Sequence, residues 1–274
     1  MQIKFKLGPH DGHQSVFQSG EHNSHWLGLE LLRLQTGETW RGSLEGEEAA
    51  LVILSGCCSI SVTSTSTCRW EHLGSREDIF GGPATAVYVP RRSVVEIAAE
   101  SYLEIVMPKA RCETDLPPAL IRPSDVKVVT SGVANWQRDV RLIISPGSPI
   151  SQRLIVGETL NPPGNWSGIP PHKHDEITAD ENLLEEFYLF KLKPTNGYAV
   201  QLVYRDDAQD ACMVSHDQVM LFENGYHPTV APPGVTVCYL WALAGESKAY
   251  NLVIDPRFEW VNHPEPVVKE RQQA

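Results

Sequence analysis

With 274 residues, 42% of them hydrophobic and 21% charged, the chain has globular composition and enough interior for one large domain or two ordinary ones. Its formal net charge of -11 argues against a nucleic-acid partner, because phosphate backbones are gripped by clustered Lys and Arg that this chain lacks. No run of about 18 apolar residues speaks for a membrane partner, and the N-terminal stretch has no basic segment followed by an apolar core, so a cytoplasmic location is expected.

The 20 glycines and 20 prolines, spread between short apolar runs, favour many strands joined by tight turns over long helices. The six cysteines include no Cys-x-x-Cys pair and are expected as reduced thiols. His10, His13, His22 and His25 form a loose cluster with no carboxylate-bearing strand behind it, which reads as solvated surface. Strands are expected over residues 28–34, 49–54, 58–63, 86–89, 94–98 and 102–107, with 78–80 leading into a Gly-Gly-Pro turn. Residues 108–125, rich in proline and mixed charge, read as a linker between halves. Strands resume over 140–144, 152–159, 186–192, 198–204, 213–215, 218–222 and 235–243.

The two halves echo one another: LRLQTGET at 32–39 resembles RLIVGET at 153–159, which implies a duplicated β-barrel, divided as residues 1–115 and 116–274. The second half carries the chemistry. His172 and His174 sit two apart, so on an extended strand both imidazoles leave from one face toward one metal ion. Beyond an acidic insert, Glu186 opens the apolar run FYLF and can point into the same cavity, and His227, after a Gly-Tyr turn, is the best fourth ligand. Such a set suits a divalent ion (zinc, manganese, iron or nickel) with positions left for substrate. Where the second half has Pro-His-Lys-His, the first reads Trp40-Arg41-Gly42-Ser43, and Glu47 and Glu48 lack ligand partners, so the first barrel is expected to be metal-free. Asp175, Asp180 and Glu181 read as a solvated acidic loop, while Trp166 and Tyr188 are divided between lining a sugar pocket and packing the core.

With this pattern in place the chain resembles a cupin, and its duplication a bicupin: an all-β chain of two tandem cupin-type barrels. RLIVGET at 153–159, NPPGNWS at 161–167, PPHKHD at 170–175, ENLLEE at 181–186, GYHP at 225–228 and APPG at 231–234 are similar to the 5-deoxy-glucuronate isomerase family of myo-inositol catabolism, related to the 4-deoxy-L-threo-5-hexosulose-uronate ketol-isomerases. FGGP at 80–83 and AVYVP at 86–90 carry the likeness into the first half.

The resemblance implies an isomerase that converts 5-deoxy-D-glucuronate, an aldose, into 5-dehydro-2-deoxy-D-gluconate, a ketose, through an enediol. A metal held by His172, His174, Glu186 and His227 would polarise the carbonyl as a Lewis acid. Glu158 shares strand parity with Leu154 and Val156 and, if that face lines the barrel, is a candidate base of raised pKa, with Glu185 and Tyr226 as rivals. Arg153 and Lys173 are the candidate cations for the substrate carboxylate, and Tyr188 a candidate sugar contact. A homo-oligomer is compatible with this reading. A cupin oxygenase using Fe(II) and a non-catalytic sugar-acid-binding bicupin are the competing functions.

Overall fold

The computed structural model describes residues 2–262. The regular structure of these residues is strand except for three short 3-10 turns, and no helix among them is long and apolar enough to cross a membrane. The first half pairs a six-stranded sheet with a four-stranded one, and the second pairs a seven-stranded sheet with a four-stranded one. In the first large sheet Leu103–Arg111 lies between Leu27–Leu34 and Glu47–Ser55; in the second, Thr236–Ala244 lies between Ile155–Asn161 and Glu185–Lys193. The same antiparallel order recurs, as duplication requires.

The large sheets are buried on both faces, so their strands read as continuous apolar runs. Ala50, Val52 and Leu54 point between the halves and meet Phe187, Leu189, Leu154 and Val156 from the other large sheet. Their neighbours Ala49, Leu51 and Ile53 point into the first half, with Ile60, Val62, Val95 and Ile97 opposite. In the second half Tyr188, Phe190, Tyr239 and Trp241 point inward. Three apolar layers result: one inside each half and one between them.

The boundary expected at residue 115 is crossed by strands in both directions. Gln2–Lys6 pairs with Gln218–Phe222 at the edge of the second large sheet, and Ala119–Ile121 pairs with Thr85–Val89 in the first. The linker also starts later than expected. Leu103–Arg111 runs through Pro108, where pairing with Glu47–Ser55 lapses between Val106 and Lys109, so the missing N–H falls in a gap of that ladder, while Val106 and Ala110 pack between the halves and Ile105 and Met107 into the first. Unforeseen were Gly12–Phe17, Thr39–Leu44, Thr67–Leu73 and Lys127–Ser131, whose burial is too shallow to leave a strong apolar signal.

Two carboxylates, Glu48 buried and Glu185 half-buried, bind the halves reciprocally. Glu48 accepts the backbone N–H groups of Gln152, Arg153 and Leu154 at 2.8, 2.7 and 2.8 Å. Glu185 accepts those of His25, Trp26 and Leu27 at 2.5, 2.8 and 3.0 Å. Ser24 donates to the Leu27 carbonyl as Ser151 does to that of Leu154. Trp26 and Arg153, equivalent in this register, stack on each other with the guanidinium 4.1 Å from the ring centre. The internal repeat therefore pairs Ser24 with Ser151 and Glu48 with Glu185, not the two Gly-Glu-Thr stretches. Glu185→Ala should lower stability by about 2 kcal/mol, since it strands backbone donors that are only partly buried and a fully buried one costs about 1–3 kcal/mol; denaturant unfolding checks this, with metal content unchanged.

Candidate metal centre

Glu186 shares strand parity with Tyr188 and Phe190, which puts its carboxylate inside the second half. His227 follows the turn at Gly225, which takes φ +94° and passes so close to the Tyr204 carbonyl that a Cβ would lie 2.8 Å from it. His172 lies on a two-residue strand, His172–Lys173, held by Val253–Ile254. His174, just beyond, turns its ring inward.

His174, Glu186 and His227 converge, with one ligand atom from each lying within 4.8 Å of the others. Glu186 Oε2 is 3.1 Å from His174 Nε2 and 3.0 Å from His227 Nε2. The His172 ring stands beside them, its centre 5.2 Å from that of His227 and 6.4 Å from that of His174.

Each imidazole is oriented by its other nitrogen. Nδ1 of His172, His174 and His227 lies 3.0, 2.7 and 2.8 Å from the carbonyls of Pro170, Leu184 and Gly225. A carbonyl only accepts, so each Nδ1 carries the proton and, in the neutral ring, each Nε2 presents a lone pair. His227 Nε2 is sealed from solvent and, despite its nearness to Glu186, makes no hydrogen bond of acceptable geometry. A lone pair aimed at a buried carboxylate is an arrangement that a cation relieves, so the donor set fits a divalent metal ion.

The electrostatics agree. Burial alone would raise the Glu186 carboxyl, but the adjacent His174 and His227 imidazoles outweigh it and hold it at about 2. Burial pushes His172 down to about 3, with His227 and His174 adding to the effect, so it stays neutral. Burial would also lower His174, yet Glu186 beside it leaves it raised.

Other expected site residues lie elsewhere. Glu158 does share a face with Leu154 and Val156, but that face looks between the halves, where Arg76 holds it at 2.6 and 3.0 Å and Arg141 at 3.3 Å. It cannot reach a sugar at the histidines. Glu185 is the reciprocal clamp described above. Tyr226 stacks on Tyr204, with ring centres 5.3 Å apart, on the outer side of the turn. Arg153 lies over Trp26 and donates to the Gly245 and Glu246 carbonyls, so it binds the halves and not a substrate.

Lys173 points away from its flanking histidines and is held by Asp175 and Glu181, each at 2.8 Å. The acidic insert is correspondingly less solvated than expected. Glu181 is buried and also accepts the N–H groups of Asp175 and Glu176, while Asp175 accepts that of Gly225 at 2.7 Å, tying the His-x-His segment to the turn before His227. Asp180 is exposed, as are His10, His13, His22 and His25.

Tyr188 does stand at the cluster, its ring centre 6.0 Å from that of His227. Among the described residues its hydroxyl makes no hydrogen bond, and the side chain is buried beside the imidazoles. Burial, reinforced by Glu186, raises its pKa well above the usual value and keeps it a proton donor. Tyr239, unforeseen in the sequence, packs against Tyr188 and donates to Ser167 at 3.0 Å. Trp166 lies in a separate outer cavity of about 580 Å³ with Trp136, Tyr204 and Trp260.

Residues 4–261 match the KduI/IolB family. The 5-deoxy-glucuronate isomerase of Geobacillus kaustophilus is 37% identical over 252 residues, covering 90% of each chain. That of Bacillus subtilis (strain 168) is 32% identical over 240 residues, 86% of this chain and 88% of the relative. Among solved structures, an IolB-like protein from Salmonella typhimurium LT2 superimposes with a TM-score of 0.90 at 27% identity, covering 95% of this chain and 99% of that one. Lactobacillus farciminis oxalate decarboxylase, at 12% identity and a TM-score of 0.69 over 99% of this chain and 94% of its own, shares the fold alone. The all-β, duplicated cupin architecture expected from the sequence is thus the observed one.

Proposed function

Because the chain belongs to the KduI/IolB family, we propose that it is an isomerase of 5-deoxy-glucuronate, an aldose-to-ketose enzyme of inositol catabolism whose reaction takes place at the His172, His174, Glu186 and His227 cluster. The observation that carries the placement is the convergence of His174 and His227 upon the buried Glu186 carboxylate, with the His172 ring beside them and Nδ1 of all three rings on backbone carbonyls. A divalent ion held there would act as a Lewis acid toward the carbonyl and neighbouring hydroxyl oxygens of the sugar.

The protein's own part is positioning and proton control. The backbone carbonyls of Pro170, Leu184 and Gly225 hold the rings in place, so little reorganisation accompanies substrate entry. Tyr188, kept protonated, offers its O–H to a sugar oxygen beside His227. The wall of Tyr188, Phe222 and Tyr239 limits water around the carbon that loses its proton.

Purified, metal-loaded protein given 5-deoxy-glucuronate should form the ketose, followed by NMR, at equal rates with and without oxygen. Chelation should stop turnover, and a divalent ion should restore it. Oxygen-dependent consumption would support the oxygenase reading instead, and saturable binding without product the binding-module reading.

A further inference from the structure

A sugar acid brings a carboxylate, and both cations expected to receive it are committed elsewhere. Most buried cations of the described residues are neutralised: Arg76 and Arg141 face Glu158, Arg33 and Lys191 face Glu104 and Asp217, and Lys109 faces Glu30 and Glu47. Arg138 is different. It opens the strand Arg138–Ile144, in which Val140 and Leu142 pack against the interior of the second half while Arg141 and Ile143 face between the halves. By period-two alternation Arg138 belongs with Val140 and Leu142, on the side of Tyr188 and Tyr239.

Resting on the isomerase reading above, we propose that Arg138 binds the carboxylate at the far end of the substrate. Its guanidinium is already aimed: Nη1 donates to the Trp136 carbonyl at 3.2 Å and Nη2 to the Ile169 carbonyl at 2.9 Å, three residues before His172. Both acceptors are neutral, and among the described residues no carboxylate lies within ion-pair distance. Among the described residues its Nε–H and remaining N–H groups have no acceptor, and the side chain is only half-buried, which leaves part of the fork open for a ligand.

The turn before it is shaped to suit. Gly132 takes φ +80°, and a Cβ there would lie 2.3 Å from the Trp136 carbonyl oxygen and 2.9 Å from Arg138 Nη1. Burial lowers the Arg138 pKa, opposed only by Tyr239, Tyr188 and Tyr250, and Tyr188 packs on Tyr239 with its ring 6.0 Å from that of His227, so the aromatic wall beside the candidate centre is also the one that Arg138 feels. A half-buried guanidinium without a counter-ion gains most from a carboxylate, through charge-assisted and geometrically specific hydrogen bonds. Anchoring the acid end there leaves the aldehyde end for the histidines.

The test uses the full-length, metal-loaded protein and the variants Arg138→Met and Arg138→Lys. Arg138→Met should raise KM for 5-deoxy-glucuronate about 100-fold, the scale of one or two charge-assisted hydrogen bonds. Metal content and melting temperature should match the parent. Arg138→Lys keeps the charge but loses the fork and should raise KM about ten-fold; it serves alone if the methionine variant does not fold. Calorimetry supplies a readout free of turnover: the parent should prefer D-gluconate over the neutral D-glucitol, and both variants should lose that preference. An unchanged KM, or an unchanged preference in a folded variant, overturns the proposal. If the parent makes no ketose, the isomerase reading fails, while the gluconate comparison still decides the role of Arg138.

Discussion

Replacing His174 with alanine is expected to abolish retention of a divalent ion and reduce isomerisation at least 1,000-fold, since Lewis-acid stabilisation of developing charge by such an ion would supply several kcal/mol. His174 lies 3.1 Å from Glu186 with its Nδ1 2.7 Å from the Leu184 carbonyl, so removing it leaves a gap and a buried carboxylate with one imidazole fewer. Metal analysis of dialysed protein and the NMR assay should fall together. Retention of metal and turnover would mean that the reaction takes place away from these residues. Thermal melting separates this from unfolding, because the inter-half layer containing Phe187 and Leu189 is untouched.

Glu158→Ala should act on stability and leave the chemistry alone. The carboxylate is fully buried between Arg76 and Arg141, and its removal strands two buried guanidiniums at a cost of about 3–5 kcal/mol. The Arg76 and Arg141 side chains also donate to the Gly82 and Ile79 carbonyls, so the loop at 79–82 should loosen with them. Denaturant unfolding measures the loss, and kcat per folded molecule should stay within about two-fold of the parent. A collapse of kcat in a folded variant would return Glu158 to the reaction as a base. The triple change Arg76→Met, Glu158→Leu, Arg141→Met should recover much of the stability, because a buried ion cluster is commonly no more stable than apolar side chains of similar volume.

Much was legible from local pattern. Alternating and continuous apolar runs with turn residues between them marked the all-β class and most central strands, because burial selects apolar side chains wherever a strand is covered, whereas the duplication was read from a Gly-Glu-Thr echo that the fold replaces with another register. The spacing of His172 and His174, the glutamate before FYLF and the histidine after Gly-Tyr pointed to the residues that the fold brings together. Edge strands such as Thr67–Leu73 left weaker traces, since half-exposed positions accept polar residues.

What the residues determined unaided was which side chains share a strand face and what chemistry they offer. Which space each face looks into was decided only by the packed halves. Strands buried on both sides are apolar on both, so no local signal distinguishes the inter-half layer from the interior of the second half. Glu158 and Glu186 therefore read alike as carboxylates on apolar strands, yet one sits between two arginines and the other among histidines. The same reason hid Arg138, whose open guanidinium depends on carbonyls at Trp136 and Ile169 that only the folded chain brings to it.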